Sequence, residues 1–237
     1  VLDAFMKNCP VTKLKAHGTA VGMPSDDDMG NSEVGHNAIG CGRVFSQGAK
    51  LVEEAVESKK LFAGEVIQLL EGSENVKQHD STLHFLGLFS DGNVHSNINH
   101  LKAMVEEAKK AGVKHVRIHA LLDGRDVPET SALEYIDPFE AFLAELNKDG
   151  FDARIASGGG RMVITMDRYG ANWDMVRKGW EVHVHGCGEM FRNAHEAVEA
   201  LRKKTGAIDQ DLPPFVISDD GRTPVGAMKD HDSVIFF

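Results

Sequence analysis

Beyond residue 82, short apolar runs and longer stretches of helical spacing take turns along the chain. The runs at 82–89, 116–122, 153–156, 181–185 and 215–218 predict strands, being short, apolar and bounded by polar or glycine-containing loops. Ile98, Leu101, Val105 and Ala108 recur at helical spacing and predict a helix over 98–111, stopped at Gly112. Asp137 and Pro138 predict the start of a helix reaching Leu146 and closed by Gly150, and 193–204 predicts another. Strand and helix alternate at intervals of roughly 30 residues, the pattern of a parallel sheet with crossover helices. The expected fold class is α/β.

The first third is less regular. Residues 3–9 predict a short helix, 14–23 a weak strand or loop, and 71–81 a polar loop. Leu51, Val52, Ala55 and Val56 predict a helix over 47–57, and the Gly and Cys of 38–45 predict close packing. Residues 1–9 read as the middle of a helix, and 233–237 as an apolar, buried strand. Both ends suggest an internal piece of a longer polypeptide.

Between these elements, residues 24–37 (Pro-Ser-Asp-Asp-Asp-Met-Gly-Asn-Ser-Glu-Val-Gly-His-Asn) show no apolar period and read as a loop entering a helix capped by Asn31 or Ser32. Free N–H groups and the positive dipole end beside the Ser32 hydroxyl suit a phosphate. Asp26, Asp27, Asp28 and His36 are of the types that divalent metals take as ligands, and a metal can activate a serine. The plainer reading is a solvated acidic loop with an ordinary serine cap.

Three successive strands end in loops that pair glycine with a polar or basic group: His95, then Arg125 with Asp126, then Arg161 with Arg168 close behind. In open α/β sheets ligands bind outside the carboxyl ends of the strands. If the three strands are neighbours, these side chains converge on one crevice, where paired Arg forks suit phosphate and carboxylate. Gly158 to Gly160 would let backbone approach the ligand. Any single loop of this kind is unremarkable after a strand; three in succession raise an anion site to an even prospect.

Composition narrows the partners. The chain has 237 residues, 42% of them apolar, and a formal charge of -10, which argues against nucleic acid or an anionic membrane. Cys9, Cys41 and Cys187 are odd in number and far apart, as expected of unpaired thiols in a reducing compartment. No apolar run approaches about 18 residues and no signal peptide is visible, so a cytoplasmic location is expected. His183 and His185 would share one face of the strand predicted at 181–185, a weak candidate metal pair lacking a third ligand. Gly186-Cys-Gly188 lacks the third glycine of a dinucleotide fingerprint. Arg177, Lys178, Lys203 and Lys204 read as solvated helix faces, and Trp173, Trp180 and the Phe residues as core.

Four motifs in order then resemble one family: Met29 to His36 (Met-Gly-Asn-Ser-Glu-Val-Gly-His), Ser90 to Ser96 (Ser-Asp-Gly-Asn-Val-His-Ser), Leu122 to Val127 (Leu-Asp-Gly-Arg-Asp-Val) and Gly159 to Arg168. They resemble the cofactor-independent phosphoglycerate mutases over essentially the whole chain. The spacing of seven positions between Arg161 and Arg168 is similar to the plant and trypanosomatid branch. The resemblance implies a transferase domain inserted into an alkaline-phosphatase-like domain just after its nucleophile helix. Residues 1–45 would belong to the phosphatase domain, of which only a small N-terminal part is present, and 46–237 to a transferase domain incomplete at its C-terminal end.

By the same resemblance Ser32 is the nucleophile and a ligand of one of two divalent metals, manganese with magnesium or cobalt as alternatives. His95, Arg125, Asp126, Arg161 and Arg168 would hold the phosphoglycerate, with Asp126 exchanging protons near its hydroxyls. The expected reaction interconverts 3-phosphoglycerate and 2-phosphoglycerate through a phosphoserine, without 2,3-bisphosphoglycerate, in a monomer whose only partner is the substrate. The family's other metal ligands fall outside the chain, which weakens the metal reading of Asp26, Asp27, Asp28 and His36 and implies a piece inactive by itself. Rival readings are a metal-dependent phosphatase or phosphodiesterase of the same superfamily, or a non-catalytic phosphoglycerate-binding fragment.

Overall fold

The computed structural model describes residues 1–63, 75–167, 170 and 172–237. Arg168 and residues 71–74 of the predicted polar loop lie outside the described residues. Two compact units are formed, Val1–Glu53 and Glu54–Phe237.

The first unit holds α1 (Leu2–Asn8), one 3-10 turn (Gly18–Val21) and α2 (Ser32–Cys41), and α3 (Gly48–Glu57) begins within it. Its small core is Val21, Met23 and Val34, with Ala49 packed against them. The close packing predicted for 38–45 forms at Phe45, whose carbonyl oxygen lies 1.8 Å from where a Cβ on Gly22 would stand, whereas Ile39 and Val44 are exposed, and Gly40 and Gly42 have nothing within 4 Å of an added Cβ.

The second unit is built on six strands: β1 (Thr82–Leu88), β2 (His115–Leu122), β3 (Asp152–Gly160), β4 (Glu189–Phe191), β5 (Phe215–Ile217) and β6 (Ser233–Phe236). Their spatial order is β4-β5-β3-β2-β1-β6. All pairs are parallel except β3 with β5. The three strands whose loops bear the candidate residues are thus neighbours, joined in turn by α4 (Ile98–Lys110) and α5 (Ala132–Leu146). A parallel sheet covered on both faces needs near-continuous apolar strands, and β1 is buried from Leu83 to Leu88. One face is the main core, where Phe85, Ile118 and Ile155 meet Leu101 and Val105 of α4, Ile136 and Phe139 of α5, and Val198 and Leu201 of α7 (Ala194–Thr205). The other face has a narrower apolar patch, Leu86, Leu88, Leu121 and Ile164.

Several predicted elements differ from what forms. Residues 181–185 are not a strand: α6 runs Trp173–His183, with Asn172 capping the Met175 N–H at 3.1 Å. Its buried residues Met175, Gly179, Val182 and His183 follow a helical stripe that the apolar run at its end conceals. The proposed His183–His185 metal pair therefore has no strand to stand on. His183 points into the protein, and His185 accepts from the Trp180 indole at 3.1 Å. Trp173 and Trp180 are 71% and 59% exposed rather than core. The largest buried rings are Phe85, Phe89, Phe139 and Phe215, whereas Phe5 and Phe236 are exposed. β6 is an edge strand alternating half-buried and exposed, not a buried one. Helix α5 starts five residues before Asp137 and holds Pro138 inside it. Its first N–H, at Ala132, is satisfied by Asp209 Oδ2 at 2.8 Å, a partner 77 positions away that stands in for a local cap.

The glycines of β3 are needed for packing. An added Cβ on Gly158 would lie 2.5 Å from the Phe215 ring and 2.7 Å from the Ala120 carbonyl oxygen, and one on Gly160 2.2 Å from the Gln210 carbonyl oxygen. Gly158→Ala is therefore expected to destabilise the sheet by about 1–3 kcal/mol through overpacking. Gly40→Ala in α2, where the space is open, is expected to be neutral or stabilising by about 0.5–1 kcal/mol. Urea denaturation of the two variants checks the contrast; equal midpoints would refute it.

Candidate functional site

At the carboxyl end of β2 the chain turns through Asp123-Gly124-Arg125-Asp126, and the Asp123 carboxylate organises the turn. Its Oδ1 accepts the N–H groups of Arg125 (3.2 Å) and Asp126 (3.0 Å), the local bonding that makes Asp a turn former. Gly124 sits at φ +66, where an added Cβ would come within 2.9 Å of the Asp209 side chain and 3.0 Å of the Glu129 carbonyl oxygen. From the end of β1, the Ser90 hydroxyl donates to Asp123 Oδ2 at 2.6 Å. From the end of β3, Arg161 Nη1 donates to Asp123 Oδ1 at 2.7 Å and to Asp126 Oδ2 at 2.5 Å. Three adjacent strand ends are thereby tied to one carboxylate.

Asp123 and Arg161 are almost fully buried. Burial by itself opposes the charged carboxylate. The bonds from Ser90, the Asp126 N–H and Arg161 outweigh it and hold Asp123 below the usual carboxylate range. Burial likewise opposes the Arg161 charge, and Asp126 and Asp123 more than restore it. The pair stays ionic, and the crevice floor carries fixed charge.

His95 and Arg125 complete the rim. His95 Nε2 lies 3.9 Å from Asp126 Oδ2, with its side chain 43% exposed. Arg125 is exposed and has no carboxylate partner among the described residues; its Nη1 contacts Met162 Sδ at 3.9 Å. The cations thus divide: Arg161 is committed to two carboxylates, while Arg125 is free to meet an anion. The structure brings together His95, Arg125, Asp126 and Arg161 as their loops predicted. Two residues without an assigned role in the sequence, Ser90 and Asp123, prove to hold the cluster. The visible signal was their place at the two strand ends, inside motifs already noted. A third, Asp209, packs against Gly124 of the same turn while accepting from Arg202 (2.6 Å) and the Ala132 N–H, and nothing in the sequence pointed to it.

Ser32 lies in the first unit, at the first position of α2, exposed. The cap is Asn31, whose Oδ1 accepts the Val34 N–H at 3.1 Å. The hydroxyl thus stands beside the first free N–H groups of a helix, a favourable place for phosphate. His36 Nδ1 is 2.6 Å from the Ser32 carbonyl oxygen and 3.2 Å from Ser32 Oγ. A carbonyl only accepts, so Nδ1 bears the hydrogen and has no lone pair to take the hydroxyl proton. His36 in this arrangement is not a base for Ser32.

The acidic residues upstream build the loop. Asp26 accepts from the Thr19 N–H (3.0 Å) and hydroxyl (2.5 Å), and Asp28 from the Ser25 N–H (2.7 Å) and hydroxyl (2.9 Å). Among the described residues no group of three His, Cys, Asp or Glu side chains could hold a metal ion. The described donor set therefore does not fit a divalent metal by itself, and Ser32 could supply one oxygen at most. Cys9, Cys41 and Cys187 are free thiols. No helix among the described residues is long and apolar enough to cross a membrane.

Residues 52–237 match the family model described as the N-terminus of BPG-independent PGAM. A probable 2,3-bisphosphoglycerate-independent phosphoglycerate mutase of Leptospira interrogans is 58% identical over 236 residues, covering 99% of this chain and 42% of that protein. The Arabidopsis thaliana enzyme of that name is 50% identical over 239 residues, covering 100% of this chain and 42% of its own length. That of Trypanosoma brucei is 50% identical over 223 residues, covering 94% and 40%. Among solved structures, Leishmania mexicana phosphoglycerate mutase at low cobalt concentration matches with a TM-score of 0.92 at 47% identity, over 98% of this chain and 42% of that one. The chain therefore spans 40–42% of the length of these curated relatives. With most of its length matched by the family model and plant, trypanosomatid and bacterial relatives at half identity or more, the chain belongs to the 2,3-bisphosphoglycerate-independent phosphoglycerate mutases.

Proposed function

We propose that this chain is part of an enzyme that interconverts 3-phosphoglycerate and 2-phosphoglycerate through a phosphoserine at Ser32, without 2,3-bisphosphoglycerate. The observation that supports it most is the crevice centred on Asp123, where His95, Arg125, Asp126 and Arg161 meet at three adjacent strand ends, in a chain of this family. Residues 1–45 are assigned to an alkaline-phosphatase-like domain and 46–237 to the transferase domain inserted into it. His95, Arg125, Asp126, Arg161 and Arg168 bind the phosphoglycerate, with the exposed Arg125 as the anion anchor and Arg161 as the brace that aims Asp126.

In the first half-reaction Ser32 Oγ, having given its proton to solvent and entering as the alkoxide, forms its bond to phosphorus as the bond to the 3-oxygen of the substrate breaks. That oxygen takes up a proton, for which Asp126 is the assigned exchanger. Glycerate stays held by its carboxylate and reorients. Its 2-hydroxyl then attacks the phosphoserine, giving its proton back to Asp126, and Ser32 Oγ leaves as the alkoxide it began as. Water must be excluded in between, or the phosphoserine would be hydrolysed.

Divalent ions, manganese with magnesium or cobalt as alternatives, would take Ser32 Oγ as one ligand and their remaining ligands from outside this chain. Bound, such ions stabilise a phosphoryl group's charge and acidify a hydroxyl. The Leishmania mexicana relative, whose structure was determined at low cobalt concentration, supports metal dependence. The formal charge of -10 suits a cytoplasmic monomer that binds this small substrate and neither nucleic acid nor membrane.

The test follows 3-phosphoglycerate conversion by the full-length protein bearing this chain, with no bisphosphoglycerate added, with manganese and then with a chelator. Conversion that chelator abolishes is expected; metal-dependent release of free phosphate without isomerisation would replace the mutase by a hydrolase. Ser32→Ala should remove both turnover and the acid-stable phosphoenzyme, and surviving mutase activity would overturn the nucleophile assignment. Asp126→Asn should lower kcat by about 10²–10⁴, the usual range for a lost proton-transfer group. Arg125→Ala should instead raise KM about tenfold or more, matching one charge-assisted hydrogen bond. Steady-state kinetics distinguishes the two patterns.

A further inference from the structure

On the sheet face opposite the main core, a line of polar side chains takes no part in the chemistry above. His84 of β1, His119 of β2, Ser157 of β3 and His183 of α6 are all buried. The line begins at Asp232, whose Oδ2 is 3.0 Å from His84 Nε2. His84 Nδ1 is 2.8 Å from His119 Nε2, and His119 Nδ1 is 2.7 Å from Ser157 Oγ. Ser157 Oγ is 2.8 Å from His183 Nδ1, and His183 Nε2 is 3.1 Å from Thr165 Oγ1. A bulge makes the middle of this possible: the β2–β3 register shifts between Ile118 and His119, so that His119 pairs with Ser157.

The carboxylate end fixes every hydrogen. Asp232 accepts the N–H groups of Thr82 (2.8 Å) and Lys229 (2.7 Å), and as an acceptor it requires the His84 hydrogen on Nε2. His84 Nδ1 then accepts from His119 Nε2–H, and His119 Nδ1 from the Ser157 hydroxyl. Ser157 Oγ accepts from His183 Nδ1–H, and His183 Nε2 from the Thr165 hydroxyl. Every ring nitrogen is used once. A proton added to any of the three imidazoles would set two hydrogens against each other or leave a donor with no acceptor. The charged groups facing the line are Asp232 at its end and Arg117 beside His84 and His119. Burial lowers all three imidazoles, His183 to about 4; at His84 the Asp232 carboxylate opposes the effect in part.

The far end of the line is a strained residue. Thr165 has φ +70, a backbone conformation that a β-branched side chain rarely adopts. It is held there by the bond to His183, by its own N–H on the Met175 carbonyl oxygen (3.1 Å), and by Gly179, where an added Cβ would come 2.2 Å from Thr165 Oγ1. Thr165 belongs to the segment that follows β3, whose first residue, Arg161, reaches Asp123 and Asp126.

We propose that the line Asp232–His84–His119–Ser157–His183–Thr165 is a positioning latch. With all three imidazoles neutral it locks Thr165 in the left-handed region and so sets the segment that presents Arg161 to the crevice; acidification releases it. The consequence for substrate rests on the mutase reading, but the latch itself does not. The unfolded chain binds more protons than the folded one, so the latch's contribution is complete above about pH 6.5 and is lost as pH falls toward about 4.

The test uses nitrogen-15 imidazole spectra and amide exchange of the full chain. Spectra above pH 7 should show Nε2–H at His84 and His119 and Nδ1–H at His183. Thr165→Val should lower the exchange protection of 161–167 about tenfold, as for one buried hydrogen bond, and leave β1 to β3 unchanged. Thr165→Ser, which keeps the hydroxyl, should retain protection, and the wild type should lose it between pH 6.5 and 4. Should Thr165→Val not fold, Ser157→Ala breaks the line at its middle and is read in the same way. Wild-type protection in the hydroxyl-lacking variant, or a hydrogen on His183 Nε2, overturns the proposal. None of these readouts involves substrate, so a failure of 3-phosphoglycerate to bind would count against the site reading and not against the latch.

Discussion

The second unit turns on one buried ion pair, Arg161 with Asp123. Removing one partner of such a pair leaves an uncompensated charge in a low-dielectric place, at a cost of about 3–5 kcal/mol. Here the pair does more than neutralise itself. Asp123 uses its remaining capacity on Ser90 and on the Arg125 and Asp126 N–H groups. Arg161 donates to Asp126 from the same Nη1. The strand ends are therefore locked in register with one another, and the crevice is held ready before any ligand arrives.

That constraint explains a division of labour among residues of one chemical type. Two arginines face the same crevice, yet the buried one is bound to carboxylates and the exposed one has no carboxylate partner among the described residues. Arg161 Nη1 is already given to Asp123 and Asp126, whereas Arg125 Nη1 faces the Met162 sulfur. The first unit shows a parallel arrangement: its carboxylates Asp26 and Asp28 are engaged in loop hydrogen bonds, leaving Ser32 exposed at a helix start, with the His36 Nδ1 hydrogen given to its carbonyl oxygen.

The opposite sheet face solves a different problem. A sheet covered on both sides must bury whatever its strands place there, and this one buries two imidazoles and a hydroxyl against a third imidazole from α6. Such groups are tolerable only if each is fully hydrogen-bonded. The line from Asp232 to Thr165 meets that condition in one orientation only, which gives a polar interior the single-valued geometry that apolar packing supplies elsewhere.

The amino-acid order by itself determined the alternation of strand and helix, the neighbouring loops and the residues that meet in the crevice. These are short-range periodicities and turn chemistries, written into local spacing. Motifs quoted whole, such as Asp123 to Asp126, included the hub without identifying it. What only the tertiary structure decided involved partners far apart in the chain. Asp209 caps α5 from 77 positions away, so Pro138 sits inside a helix that it seemed to begin. The glycines of β3 make room for the Phe215 ring, Pro214 and the Gln210 carbonyl, and His183 turned from a metal candidate into a link in a buried line. Local spacing says which face a residue occupies; only the packed sheet says what waits on that face to satisfy or exclude it.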